Sequence, residues 1–307
     1  MARFPDILRS LKWTDIASGV RGVLGRGKKR RKIEGVCVVS GPNDLPYVQC
    51  CVASIRHFYP KIPIYLLKDR RLGDTDTREM EAVCRVELWP AQRESYGLGW
   101  AKLEVLTSLP RRRLLVLDSD IVLLGPLLAT LEAFEEDMVV VLERFPPEEQ
   151  IKYYYDLERL KQMDPDWVES GMNFNAGQIV ATTGLFSMRD LDPWLGDTPD
   201  FYLKQPDVIK CYDQGLLNYV LPKWEREGRL TLRRHGFMYW GHGVDLTHVT
   251  PGVLTRSSPH PFLAHWAGTK REDFSTMPNG HLLEFYRGVY RDMVARYRKR
   301  HPGALPD

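Results

Sequence analysis

The sequence predicts an α/β fold with a mostly parallel central sheet flanked by helices. Two patterns predict it. Short apolar, β-branched runs alternate with stretches of helical period from residue 35 to residue 117, the order produced by strands joined through crossover helices. Some of those runs, 113–117 above all, have no polar face, as expected of strands covered on both sides. Bulk is sufficient for a single large domain: 307 residues, 43% of them apolar, with 8 Trp, 14 Tyr and 11 Phe, can close one core.

Each element follows in turn. "GVCVVS" at 35–40 reads as a strand, the Gly-Pro-Asn-Asp that follows as a turn, and 48–58 as a helix. A strand at 62–67, a polar helix at 75–84, a strand at 86–89 and a helix at 100–109 come next. The apolar strand 113–117 then runs into Asp118-Ser119-Asp120. Another strand is expected at 138–142, and after it a polar excursion over 143–172 carrying Tyr153-Tyr154-Tyr155. Its length suits a lid or acceptor insertion over a site, in which the tyrosines could stack on a ligand. Later strands are expected at 178–182, 229–232 and 261–266. The domain therefore occupies 33–275, between an arm at 1–32 and a basic helix at 276–307. Neither an internal repeat nor a Walker or dinucleotide-binding glycine motif is present.

Charge is local, not global. The 43 Lys and Arg against 40 Asp and Glu leave +3, so nucleic acid is not an expected partner. Lys28 to Lys32 form a basic run after apolar positions at Phe4, Ile7, Leu8, Leu11, Ile16, Val20, Val23 and Leu24, and 287–300 is a second basic, aromatic segment. Both suit peripheral contact with an anionic membrane surface, or else a packing helix with a solvated tail. No run approaches the roughly 18 apolar residues of a membrane span, and the N-terminus lacks the pattern of a signal peptide. The expected address is cytoplasmic. Five cysteines without zinc or disulfide-framework spacing fit reduced thiols there.

The chemistry concentrates in "LLVLDSDIVLL" at 114–124. Carboxylates in an apolar setting need a partner. Asp118 and Asp120, at the carboxyl end of a strand, are where ligands bind in parallel sheets. Their oxygens suit Mg²⁺ or Mn²⁺, and a cation held there can bridge to a diphosphate.

With three further segments, the run resembles the Asp-x-Asp region of A-type glycosyltransferases, specifically the glycogenin-like and lipopolysaccharide galactosyltransferase-like members of glycosyltransferase family 8. "WAKLEVL" before the strand, "FNAGQIV" at 174–180, "YDQGLLNYVL" at 212–221 and "HWAGTKRED" at 265–273 follow that family's order. The resemblance implies an A-type fold with a Rossmann-like sheet, and metal ligation by Asp118, Asp120 and His265. The imidazole favours Mn²⁺, with Mg²⁺ as the alternative ion. It further implies donor contacts from Lys102, Ser119, Gly268 and either Lys270 or Arg271. Ser40, Asn43 and Tyr47 would face the nucleoside, while Asn175, Gln178, Asp213 and Gln214 would surround the transferred sugar. Asp213 also suits a helix N-cap. Two departures stand out: Arg271 occupies the position of the family's late lysine, and "HGFMYWGHG" at 235–243 replaces its Tyr-Asn.

The resemblance thus implies a Mn²⁺-dependent retaining transferase moving a hexose from a UDP-sugar to a glycan, lipid-linked or protein acceptor. Two other classes stay in view: a sugar-phosphate nucleotidyltransferase, which should carry a Gly-rich loop after its first strand, and a non-catalytic membrane- or nucleic-acid-binding adaptor.

Overall fold

A computed structural model describes residues 30–71, 73–97, 99–143 and 147–305. The apolar stripe expected over 4–24 lies outside the described residues. The first strands are β1 (Gly35–Ser40), β2 (Ile64–Lys68) and β3 (Val86–Leu88), followed by β4 (Arg113–Asp118) and β5 (Ile121–Leu123). After β6 (Met138–Glu143) and β7 (Asn173–Thr182) comes a small hairpin of β8 (Leu195–Gly196) and β9 (Tyr202–Leu203). The last strands are β10 (Leu232–His235), β11 (Met238–Trp240) and β12 (Leu263–His265). The central sheet has the order β10-β6-β7-β4-β1-β2-β3.

The register of β4 explains its lack of a polar face. Leu115 and Leu117 enter one core cluster and Leu114 and Val116 the other, because successive side chains point to opposite sides of the sheet. Helices α1 (Leu45–Phe58), α2 (Arg78–Cys84) and α3 (Ala101–Leu106) follow the strands as expected. The third is shorter than the span predicted for it, stopping before Leu109-Pro110, where proline disfavours a helical residue ahead of it.

One strand breaks the parallel pattern. β7 runs antiparallel between β4 and β6 and starts at Asn173, ahead of the predicted 178. Ile179 pairs with Val140 but Asn175 with Val141, so residues 176–178 bulge from the ladder on that side. Asn-Ala-Gly-Gln has low β-propensity, which hid this half of the strand, and a bulge re-aims side chains at a sheet rim. Of the late strands, β12 falls within the expected 261–266, whereas β10 lies at Leu232–His235, displaced from the expected 229–232, and β11 was unforeseen.

Helix α4 (Leu128–Leu131) precedes β6, and α5 (Pro147–Tyr153) and α6 (Leu157–Met163) lie within the excursion that follows it. Tyr154 and Tyr155 are buried and join the core, so of the three adjacent tyrosines Tyr153 alone is exposed enough to stack on a sugar. Helix α7 (Tyr212–Arg226) packs against β7. The C-terminal helix α8 (Gly280–Arg300) lies on α1 and buries Leu282, Leu283, Tyr286 and Tyr290. Its apolar face is therefore committed to the core and not free for a membrane. Among the described residues no helix is long and apolar enough to cross one.

Candidate functional site

Asp118 ends β4, and the chain turns through Ser119 and Asp120 into β5. β5 pairs antiparallel with β12, placing His265 opposite Ile121, and the Trp266 N–H donates to the Asp120 carbonyl at 3.1 Å. Two distant segments of sequence thus bring three ligand atoms, from Asp118, Asp120 and His265, within 4.8 Å of one another. His265 Nε2 stands 3.2 Å from Asp120 Oδ1 and 4.0 Å from Asp118 Oδ2. The imidazole is 1% exposed, yet among the described residues neither ring nitrogen nor Asp120 Oδ1 makes a hydrogen bond of good geometry, the 3.2 Å contact between them included. Buried polar atoms in this state fit the donor set of a bound cation. Trp240 of β11 stacks on the ring at 5.4 Å and 18°, fixing its plane. Gly177, in the bulge, permits the approach: a Cβ there would stand 2.4 Å from His265 Cε1 and 2.9 Å from Asp118 Oδ2.

Cations surround the cluster. Lys270 Nζ donates to Asp44 Oδ1 at 2.6 Å and Ser119 Oγ at 3.2 Å, and lies 3.6 Å from Asp120 Oδ2. Arg271 instead turns its guanidinium to the Thr276 carbonyl at 3.1 Å. Of the two, Lys270 is the one brought to the carboxylates. Burial works to raise the Asp120 carboxyl, but His265 and Lys270 outweigh it and hold Asp120 well below the usual carboxylate range.

Lys102 is buried, and its ammonium pairs with two carboxylates, 2.8 Å from Asp118 Oδ1 and 3.1 Å from Asp213 Oδ2. Burial disfavours its charge, yet the two carboxylates prevail and raise it above an ordinary lysine. Asp213 sits in the first turn of α7, with Cys211 at the N-cap position. Burial raises its carboxyl to about 6, opposed by Lys102 and assisted by Asp118.

The amides form a connected floor. Asn175 Nδ2 donates to Gln214 Oε1 at 3.1 Å, and Asn175 Oδ1 accepts from the Gly177 N–H at 2.8 Å and from Gln178 Nε2 at 3.0 Å. Gln214 Nε2 donates to the Tyr153 carbonyl at 3.1 Å. Gln178 is fully buried with an unpartnered Oε1.

At the end of β1, Ser40 lines a narrow cavity with Gly41, Lys68, Asp69 and Thr75. Ser40 Oγ donates to the Gly41 carbonyl, and Asn43 is exposed beside it. Tyr47 is buried; its hydroxyl donates to the Arg271 carbonyl at 2.8 Å and packs its ring on Phe274, so it braces the 270–274 loop. Gly268 adopts φ +68°, a left-handed conformation in open space that suits glycine.

Sequence reasoning overlooked four neighbours. Asp44 was visible in the "GPND" turn, and Glu143 as an acid closing a strand, in the same way as Asp118. Trp240 and Asp69 carried no such signal. Glu143 is buried, accepts from the Tyr154 hydroxyl, and is raised to about 7 by burial.

No protein-family model matches the chain, and no curated protein matches it by sequence. Solved structures do match. The galactosyltransferase LgtC, solved with donor and acceptor sugar analogues, aligns over 89% of this chain and 98% of its own, at 13% identity and a TM-score of 0.54. Glycosyltransferase GlyE of Streptococcus pneumoniae TIGR4, in its apo form, aligns over 88% of this chain at 13% identity and a TM-score of 0.51. The match spans 64% of the GlyE chain. The chain has the A-type glycosyltransferase fold. Both neighbours are glycosyltransferases, the class to which the sequence resemblance pointed.

Proposed function

We propose that the protein is a retaining glycosyltransferase that moves a hexose from a UDP-sugar to a hydroxyl of a glycan, lipid-linked or protein acceptor, with Mn²⁺ held by Asp118, Asp120 and His265. The observation that carries this reading is the buried histidine, its ring nitrogens without a well-formed hydrogen bond among the described residues, beside two carboxylates at the sheet's ligand-binding end. Two oxygens and an imidazole nitrogen fit Mn²⁺, with Mg²⁺ the weaker choice. When bound, the ion supplies charge neutralisation for the departing diphosphate.

The chain's own residues do the rest. Lys270, ammonium-charged beside Ser119, contacts the diphosphate and exchanges its bond to Asp44 for one to a phosphate oxygen. Ser40 and Asn43, at the end of β1, face the nucleoside. Asn175, Gln178 and Gln214 orient the sugar hydroxyls. Asp213 faces the anomeric centre, as nucleophile or as the charge that stabilises an oxocarbenium-like centre. Lys102 pairs with both Asp213 and Asp118 and fixes the two carboxylates in place. Residues 143–172 act as the lid that keeps water from the sugar. A reducing cytoplasm suits the five free cysteines.

Calorimetric titration with UDP tests the reading. Wild type binds UDP with Mn²⁺ and loses that binding in chelator, and Asp120→Asn loses it in either condition. Equal UDP affinity of Asp120→Asn in Mn²⁺ removes the metal assignment.

A further inference from the structure

A basic cleft lies at the other end of the sheet. It is an open cavity of about 650 Å³ lined by Arg30, Arg31, Lys32, Arg111, Arg112 and Arg113, against the acids Glu34 and Glu135. Backbone bonds knit the two basic runs together: the Glu34 N–H donates to the Arg113 carbonyl at 2.8 Å, and the Arg113 N–H to Glu34 Oε1 at 2.9 Å. Half of the cations are spent on the fold. Arg31 bonds Asp137 and Thr182, Arg113 bonds the Phe134 and Glu136 carbonyls, and Arg112 lies over the Tyr65 and Trp89 rings at 4.8 and 5.0 Å. The other half faces outward. Arg30 and Lys32 are exposed and make no hydrogen bond or ion pair among the described residues, and exposed Arg111 makes one 3.3 Å bond, to the Gly184 carbonyl.

We infer that this face docks the protein on acidic phospholipid headgroups. The occupant follows from charge and from where the chain leads. The cluster extends directly from Lys28 and Lys29, which follow the apolar positions between Phe4 and Leu24. In the sequence, apolar positions followed by a polybasic run are the two signals that peripheral membrane binding requires. The C-terminal basic helix cannot supply the apolar signal, because its apolar face is packed on α1.

Orientation follows. Arg113 begins β4 and Asp118 ends it, so the metal ligands stand roughly 17 Å along the strand from the docked face, pointing away from the bilayer. Resting on the transferase reading above, this selects an acceptor whose hydroxyl is carried well clear of the headgroups: an extended or free glycan, not a sugar at the lipid itself.

The test is co-sedimentation of the full chain with vesicles of phosphatidylcholine, with and without about 30% phosphatidylglycerol, a composition chosen so that the surface potential is worth about one to two kT per charge. Wild type partitions to the acidic vesicles and is released by salt. Arg30→Gln, Lys32→Gln and Arg111→Gln combined weaken partitioning roughly fivefold per charge, on the order of a hundredfold in all. Arg296→Gln, Lys299→Gln and Arg300→Gln combined, at the end of α8, weaken it less than about threefold by the same account. Unchanged melting and unchanged Mn²⁺-dependent UDP release without vesicles show that the first variant is folded. The inference is overturned if that variant sediments like wild type, if the α8 variant abolishes binding, or if wild type ignores lipid charge. Inorganic triphosphate saturating the cleft of a protein that binds no vesicle also overturns it. Loss of UDP release from wild type, with vesicle binding intact, would instead strike the transferase reading alone.

Discussion

Asp213 is buried beside Lys102, and the two pull its carboxyl in opposite directions; burial dominates and raises it to about 6. Its charged form therefore weakens the fold. The stability it contributes is fully present below its ordinary value of 3.8 and is lost as pH rises through about 6. Activity runs the other way, since a nucleophilic or stabilising role needs the carboxylate. Transfer should fall on the acid side of about pH 6, and saturating Mn²⁺ should move that limb lower by neutralising nearby Asp118; a pH–rate profile at two Mn²⁺ concentrations reads both. Asp213→Asn should leave UDP affinity in Mn²⁺ unchanged while lowering transfer at least about a hundredfold, the scale of losing a catalytic group. Lys102→Met strands two carboxylates and should cost about 3–5 kcal/mol in urea unfolding. The acids Asp118 and Asp120 were legible because they interrupt an apolar run. The pairing of Lys102 with Asp213 was not, since nothing local marks a partner so distant in the chain. The choice between Lys270 and Arg271 likewise required the fold, which turns one toward Asp120 and the other toward Thr276.

Elements place these residues, and the bulged strand β7 does most of it. A Cβ at Gly177 would meet the His265 ring and the Asp118 carboxylate together. Gly177→Ala should thus weaken Mn²⁺ affinity, measured by calorimetry, and cost about 1–3 kcal/mol of stability. Glu143, at the end of β6, clamps the following helices through the Tyr154 hydroxyl. With its carboxyl raised to about 7, its contribution to stability is complete below 4.5 and lost as pH rises through about 7. Hydrogen exchange in 147–163, corrected for intrinsic rate, should accelerate between pH 6 and 8, spanning that value, and Glu143→Gln should flatten the change. Strands β1 and β4 were legible from β-branched runs with no polar face. The polar half of β7 and the three-residue strands β5 and β11 were not, because too few residues alternate to reveal a period.

Across the whole molecule, the parallel strands β1 and β4 deliver their carboxyl ends to one rim, and β12 returns His265 to that rim beside β5. The overall class was readable from alternating strands and helices; the antiparallel β7 and the small second sheet depend on pairings between distant segments. The same directionality sets the basic cleft and the metal ligands at opposite ends of β4. The central claim is that the rim is a cation-dependent UDP-sugar site. Its most direct test is UDP release from a panel of UDP-sugars, with and without acceptor glycans, in Mn²⁺ and in chelator. Release from at least one donor that requires Mn²⁺ and disappears in Asp120→Asn is the predicted result. Release that persists in chelator, or normal turnover by Asp120→Asn, would contradict it.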